Sequence, residues 1–113
     1  EVELVAVVDG WIVGSAGVTT VGGRRKVLHR ARFGISVLQE YWELGIGRAL
    51  METCIGCALR AGYTQLELEV VTDNERALSL YRRAGFEEYG RNPRGYRSVS
   101  SGYQELVHMR LEL

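Results

Sequence analysis

At 113 residues the chain is long enough to bury one hydrophobic core and too short for two, so it reads as a single domain over residues 1–113. Lysine plus arginine balance aspartate plus glutamate at 14 each, and this zero net charge argues against nucleic acid as a partner, since such domains carry a basic excess. No apolar run reaches membrane-spanning length and no signal-peptide pattern opens the sequence, so the expected setting is cytoplasmic, without membrane contact.

Residues 2–8 form a continuous apolar strand. Asp9-Gly10 after it is a two-residue hairpin signal, because the turn that suits strand twist needs positive φ at both central positions. Residues 11–18 are the partner strand, with Gly14 and Gly17 leaving room for a bulge. Residues 19–30 form a polar loop whose cations Arg24, Arg25, Lys26, Arg30 and His29 read as a solvated run, with help to an anionic substrate as the alternative. Residues 32–37 make a third strand.

A polar elbow, residues 38–44, then opens through Gly45-Ile46-Gly47 into a helix from about Gly45 to Arg60, stopped by Ala61-Gly62. The first amides of a helix lack internal partners and carry the positive end of its dipole. Glycines at 45 and 47 let a phosphate approach them, so the stretch reads as an anion cradle. No Gly-Lys-Ser/Thr follows, which excludes a Walker loop. Leu50 stands where a dinucleotide fingerprint needs its third glycine. Cys54 and Cys57 lie on or beside the apolar stripe Ile46, Leu50, Cys54, Cys57, Ala58. They read as small core residues in a reduced setting; a zinc site would need two more ligands, and His29 and His108 are distant in sequence, so no metal is expected.

Residues 66–70 alternate Leu-Glu-Leu-Glu-Val, a strand with one apolar and one acidic face. Thr72-x-x-Glu75 has capping-box spacing and opens a second helix whose apolar positions are Ala77, Leu80, Tyr81 and Ala84, ended by Gly85. Residues 86–91 form a strand, residues 92–102 a glycine- and arginine-rich connection, and residues 104–113 the last strand. The element order β-β-β-α-β-α-β-β gives an α/β fold with a mixed sheet.

Three stretches together resemble the GNAT superfamily of acyl-CoA-dependent N-acetyltransferases. Trp42-Glu43-Leu44-Gly45-Ile46-Gly47 is similar to the family's Gln/Arg-x-x-Gly-x-Gly/Ala. Asn74, Ala77, Tyr81 and Gly85-Phe86 fit Asn-x-x-Ala-x-x-x-Tyr-x-x-x-Gly-Phe, and residues 105–109 match its closing strand. The resemblance implies a mostly antiparallel sheet flanked by two helices, with the chain as a core that lacks the strand and helices usual before the first hairpin. Trp42 stands in place of the polar first residue of the cradle motif, leaving Arg48 as the nearest cation.

The resemblance further implies acetyl-CoA as co-substrate, its diphosphate on the backbone amides of Leu44, Gly45, Ile46, Gly47 and Arg48, and its pantetheine along Ile35 and Val37. It implies an oxyanion donor near Val37 and Tyr81 as general acid. Asn74 and Tyr81 are seven apart and share a helix face, so Asn74 is expected to hold the pantetheine while the Tyr81 phenol reaches the sulfur. Glu67 and Glu69 are the acids best placed to take the proton of the amine, against a reading of both as a solvated or salt-bridged strand face. The acceptor is an amine of a small molecule or peptide. Arg94, Tyr96 and Arg97, if on the acceptor side, favour a carboxylate-bearing acceptor over a polyamine. The alternatives are an acyl-CoA-binding or regulatory module without catalysis, a fragment that completes its sheet as a homodimer, and a redox protein acting through Cys54 and Cys57.

Overall fold

The computed structural model describes residues 2–113. Six strands form a mixed, mostly antiparallel sheet in the order β1-β2-β3-β4-β6-β5, accompanied by two α-helices. The chain runs β1 (Val2–Val8), β2 (Trp11–Thr20), β3 (Arg30–Val37), α1 (Ile46–Arg60), β4 (Gln65–Val71), α2 (Glu75–Ala84), β5 (Glu87–Ser98) and β6 (Gly102–Glu112), which is the expected order. It divides into two compact units, one running to Leu66 and taking in Leu113, the other Glu67–Glu112.

In the first unit Asp9 (φ 50) and Gly10 (φ 81) make the tight turn, both left-handed as the Asp-Gly signal requires. The register of β1 on β2 shifts between Ala6 and Val7, where Val13 is the extra residue beside Gly14. Gly14 is there for closeness: a Cβ on it would meet the Ser36 carbonyl at 3.2 Å and Leu50 Cδ1 and Val37 Cγ2 at 3.3 Å. The missing side chain lets α1 lie close on β2 and β3. Helix α1 buries Leu50, Met51, Cys54 and Ala58 on one stripe, over Val13, Ala16, Val18, Ala31 and Phe33 of the strands. Its end is a Schellman closure, with Gly62 at φ 92, Gly62 N–H to Leu59 C=O and Tyr63 N–H to Ala58 C=O. Strand β1 is a sheet edge and leaves Val5 and Val7 exposed, with Trp11 and Ile12 just past its turn.

The second unit buries Leu68, Val70, Leu78, Tyr81, Phe86, Leu106, Val107 and Met109. Two expectations need correction here. The helix cap is Asn74, not Thr72: the Asn74 side chain accepts the Ala77 N–H at 3.2 Å, whereas Thr72, in the turn just past β4, donates its own N–H to Glu105 C=O. Residues 92–98 are strand, not connection. Between Asn92↔Leu106 and Tyr96↔Gln104 the register advances four residues on β5 and two on β6, and this wide bulge absorbs Pro93 and Gly95 at a sheet edge, where a missing N–H is tolerated. A Cβ on Gly95 would stand 2.7 Å from Leu106 Cδ1, so the strand closes over β6 only without a side chain there.

Gly14→Ala is expected to cost about 1–3 kcal/mol of unfolding free energy by overpacking α1 against the strands. Gly34→Ala, in a strand position where a Cβ meets nothing within 4 Å, should change stability by less than about 1 kcal/mol. Chemical denaturation of both variants checks the contrast.

Candidate active site

The first unit carries the turn from β3 into α1. Leu38 N–H bonds Val13 C=O, so by strand alternation the backbone groups of Ile35 and Val37 point to the side of β3 away from β2. The Val37 carbonyl is taken by the indole N–H of Trp42 at 2.9 Å. That bond folds the elbow, a short 3₁₀ turn at Gln39–Tyr41, back onto the strand end. Two left-handed residues then aim the helix: Glu43 at φ 64 and Gly45 at φ 84. A non-glycine residue holding positive φ stores on the order of 1–2 kcal/mol, so the bend is imposed by its surroundings rather than chosen by Glu43.

Gly45 is the N-cap of α1, no side chain caps it, and the first turn holds no acid. A Cβ at Gly45 would meet nothing within 4 Å, so its glycine answers to φ alone and the space in front of the helix is open. Ile46 and Gly47 are half-buried and Leu44 and Arg48 exposed. The positive pole of the helix therefore faces outward without a compensating carboxylate. Arg48 spends part of its charge on Glu52 at 2.9 Å, an exposed i,i+4 pair worth about 0.3–0.5 kcal/mol. Behind the opening Cys54 is fully buried and its thiol is pushed up, by burial first and by Cys57 second, which makes it a poor nucleophile. Cys57 is half-buried and accepts from Arg60 at 3.4 Å, so both cysteines serve the helix's own packing.

The second unit carries Asn74, Tyr81, Glu67 and Glu69. Asn74 is exposed at the start of α2, and Tyr81, two turns on, is only 7 % exposed. The turn that holds Tyr81 is closed by Gly85 (φ 104) and by Phe86 N–H to Tyr81 C=O at 3.0 Å, with the two rings edge to face at 5.8 Å. The Tyr-x-x-x-Gly-Phe spacing is thus a helix stop that fixes one phenol. Burial pushes that phenol up to about 12, so it keeps its proton throughout the neutral range. Glu67 and Glu69 share a strand face but differ in access: Glu67 is 3 % exposed, while Glu69 is open and lies 3.7 Å from His108.

An open groove of about 500 Å³ also runs along α2, lined by Thr72, Glu75, Leu78, Ser79, Arg82, Arg83 and Arg91. Glu75, Ser79 and Arg82 form one helical row, and Asn74 and Tyr81 lie about a third of a turn round from it. The groove is therefore a separate surface from the one that bears the cap and the phenol. Sequence reading missed the Trp42 clamp; its signal is an indole donor five residues beyond a strand end, inside an elbow that needs closing.

The acetyltransferase (GNAT) family model matches residues 1–86 of the chain. Among curated relatives, N-alpha-acetyltransferase RimI of Mycobacterium tuberculosis is 39 % identical over 88 residues, covering 78 % of this chain and 53 % of the relative. The ribosomal protein bS18-alanine N-acetyltransferase of Escherichia coli is 35 % identical over 81 residues, covering 72 % of this chain and 54 % of its own. The chain thus spans about half the length of these relatives. A GNAT-family acetyltransferase from Streptococcus pneumoniae superposes with a TM-score of 0.92 at 29 % identity, over 98 % of this chain and 66 % of that one. No described helix is long and apolar enough to cross a membrane.

Because the folded phenol of Tyr81 is raised above its ordinary value of 10.0 to about 12, its contribution to stability is complete below pH 10 and is lost as pH climbs to 12. Unfolding free energy measured across that window should fall about 2–3 kcal/mol further in the wild type than in Tyr81→Phe. Gly45→Ala should destabilise by about 1–2 kcal/mol through backbone strain, since no neighbour obstructs the added methyl.

Proposed function

The chain belongs to the acetyltransferase (GNAT) family, and on that premise we propose that it transfers an acetyl group from acetyl-CoA to an amine of a small molecule or peptide by direct attack on the thioester. The outward-facing, uncapped start of α1 supports a diphosphate site on the amides of Leu44, Gly45, Ile46, Gly47 and Arg48. Ile35 and Val37 turn their backbone groups away from β2 and are assigned to the pantetheine arm, with the Val37 N–H as donor to the thioester oxygen as it gains charge. Asn74 holds the arm from the start of α2. Acetyl-CoA supplies an activated acyl carbon and a thiolate leaving group.

The amine nitrogen forms the new C–N bond as the C–S bond breaks. Tyr81 hydrogen-bonds the departing sulfur and gives it a proton, and the second proton shed by the acylated nitrogen restores the phenol through water. A phenol near 12 is a weak acid beside an ordinary thiol at about 8.5, so Tyr81 acts mainly as a hydrogen-bond donor that transfers its proton late. Glu69, the solvent-open member of the acidic pair, takes the amine's proton directly or through water, with Glu67 behind it as its buried neighbour.

The observation that carries this reading is the single phenol fixed two turns into α2 and kept protonated by burial. Purified protein with acetyl-CoA and a panel of amines is expected to release free thiol, and Tyr81→Phe to lower kcat about 100-fold, the low end for general acid catalysis. Thiol release by no amine in the panel would refute the proposal. With an α-amine acceptor, kcat/KM should rise with a midpoint near pH 8, where about half of such amines are free base, level off by about pH 9, and should not decline below about pH 10. A decline centred at or below pH 10 would mean that an ordinary tyrosine, not Tyr81 as described, supplies the proton.

A further inference from the structure

At the free end of the β5–β6 hairpin Arg97 stands directly across from Tyr103 in the register. The guanidinium carbon of Arg97 lies 5.7 Å from the Tyr103 ring centre, and that of Arg94, reaching in from the wide bulge, lies 4.8 Å from it. Two cations thus share one ring. Among the described residues neither forms an ion pair: the next acid along β6, Glu105, is held by Arg91 at 3.0 Å, and Arg91 is also bound to Glu88. Stacking on an exposed ring is worth about 0.5–1 kcal/mol per cation, and two like charges gathered at one ring repel, so the arrangement gains from an anion beside them. The ring also orients both guanidinium forks before any ligand arrives, which favours a carboxylate held by parallel N–H bonds.

The position of this end in its unit says what kind of carboxylate fits. Thr72 N–H on Glu105 C=O marks where β4 stops, so Tyr103, two residues further out, overhangs the start of α2. Arg91 pairs with Val107 and shares a groove with α2 side chains, so Val107, Glu105 and Tyr103 point to the face that α2 covers. Helix α2 then runs back along the sheet until Glu87 meets Arg110. Tyr81, well along the helix, comes level with about residue 108 of β6. Five strand residues, roughly 16 Å at about 3.3 Å each, separate that level from Tyr103. An amino acid, whose amine and carboxylate flank one carbon, cannot reach both. An extended peptide covers the distance in about four to five residues.

We propose that Arg94, Arg97 and Tyr103 bind an acidic side chain of a peptide acceptor, several residues along from the amine that reacts. The proposal rests on the acetyl-transfer reading above. Hexapeptides with a free amino terminus, carrying Glu or Gln at each of positions 2 to 6 in turn, test it. Glu near positions 4 to 6 is expected to lower the acceptor KM about 10-fold relative to Gln, as one charge-assisted contact would. The double variant Arg94→Ala, Arg97→Ala should bring the Glu-to-Gln ratio to about one, and Arg94→Lys, Arg97→Lys, which keeps the charge without the fork, should leave it in between. Equal KM values at every position, a ratio that survives the alanine variant, or an effect on the KM of acetyl-CoA in place of the acceptor would each overturn the assignment. If no peptide is acetylated, the amine panel still decides the acetyl-transfer reading, and binding alone decides this site. Shifts of the Arg94 and Arg97 Nε–H resonances with the Glu hexapeptide and not the Gln one uphold the site; unmoved resonances remove it.

Discussion

The bend between β3 and α1 is the constraint on which the first unit's candidate site rests. A helix can show its first amides to a ligand only if the chain arrives from the side and turns sharply just before the first turn. Here that turn needs two left-handed residues, Glu43 and Gly45, and one of them is a glutamate that gains nothing from the conformation. The Trp42 indole on the Val37 carbonyl closes the elbow against that strain, and Gly14 lets α1 settle on the strands beneath. The open pole of the helix is thus a product of packing some distance behind it.

The second unit solves a different problem, that of holding a phenol still. Tyr81 is buried on a helix of ten residues, and short helices fray. Both ends are therefore fastened, by the Asn74 cap at the start and by the Gly85 closure with Phe86 against the ring at the end. Burial that excludes water from the ring also raises the cost of losing its proton, so position and protonation state have one physical cause.

Much of this was legible in the residues. Asp9-Gly10, Gly45, Gly62 and Gly85 all stand where the backbone takes positive φ, and glycine or aspartate at such points is a statement about conformation that sequence carries directly. Element order followed from those stops and from the periodicities between them. What stayed hidden was decided by partners far away in sequence. Thr72 looked like a cap until Glu105 claimed its N–H. Asn92-Pro93-Arg94-Gly95 reads as a loop because no local rule reveals that a bulge and the bulk of Leu106 will keep it in the sheet. Glu67 and Glu69 are equivalent by alternation, and only the packing around one of them tells the buried acid from the open one. The candidate site residues came chiefly from the family resemblance, but which hydrogen-bonding groups they leave outward came from the fold.

Asn74 shows how far that distinction reaches. A carboxamide has a fixed polarity, and at this position its oxygen is already committed to the Ala77 amide. Its two hydrogens are left to be shown to anything outside. Aspartate would fasten the helix at least as well, since the two residues are near equals as caps, yet it would present lone pairs and a negative charge in place of those hydrogens. A change of one atom type, almost invisible to the stability of the fold, would therefore reverse the sign of what this corner can greet.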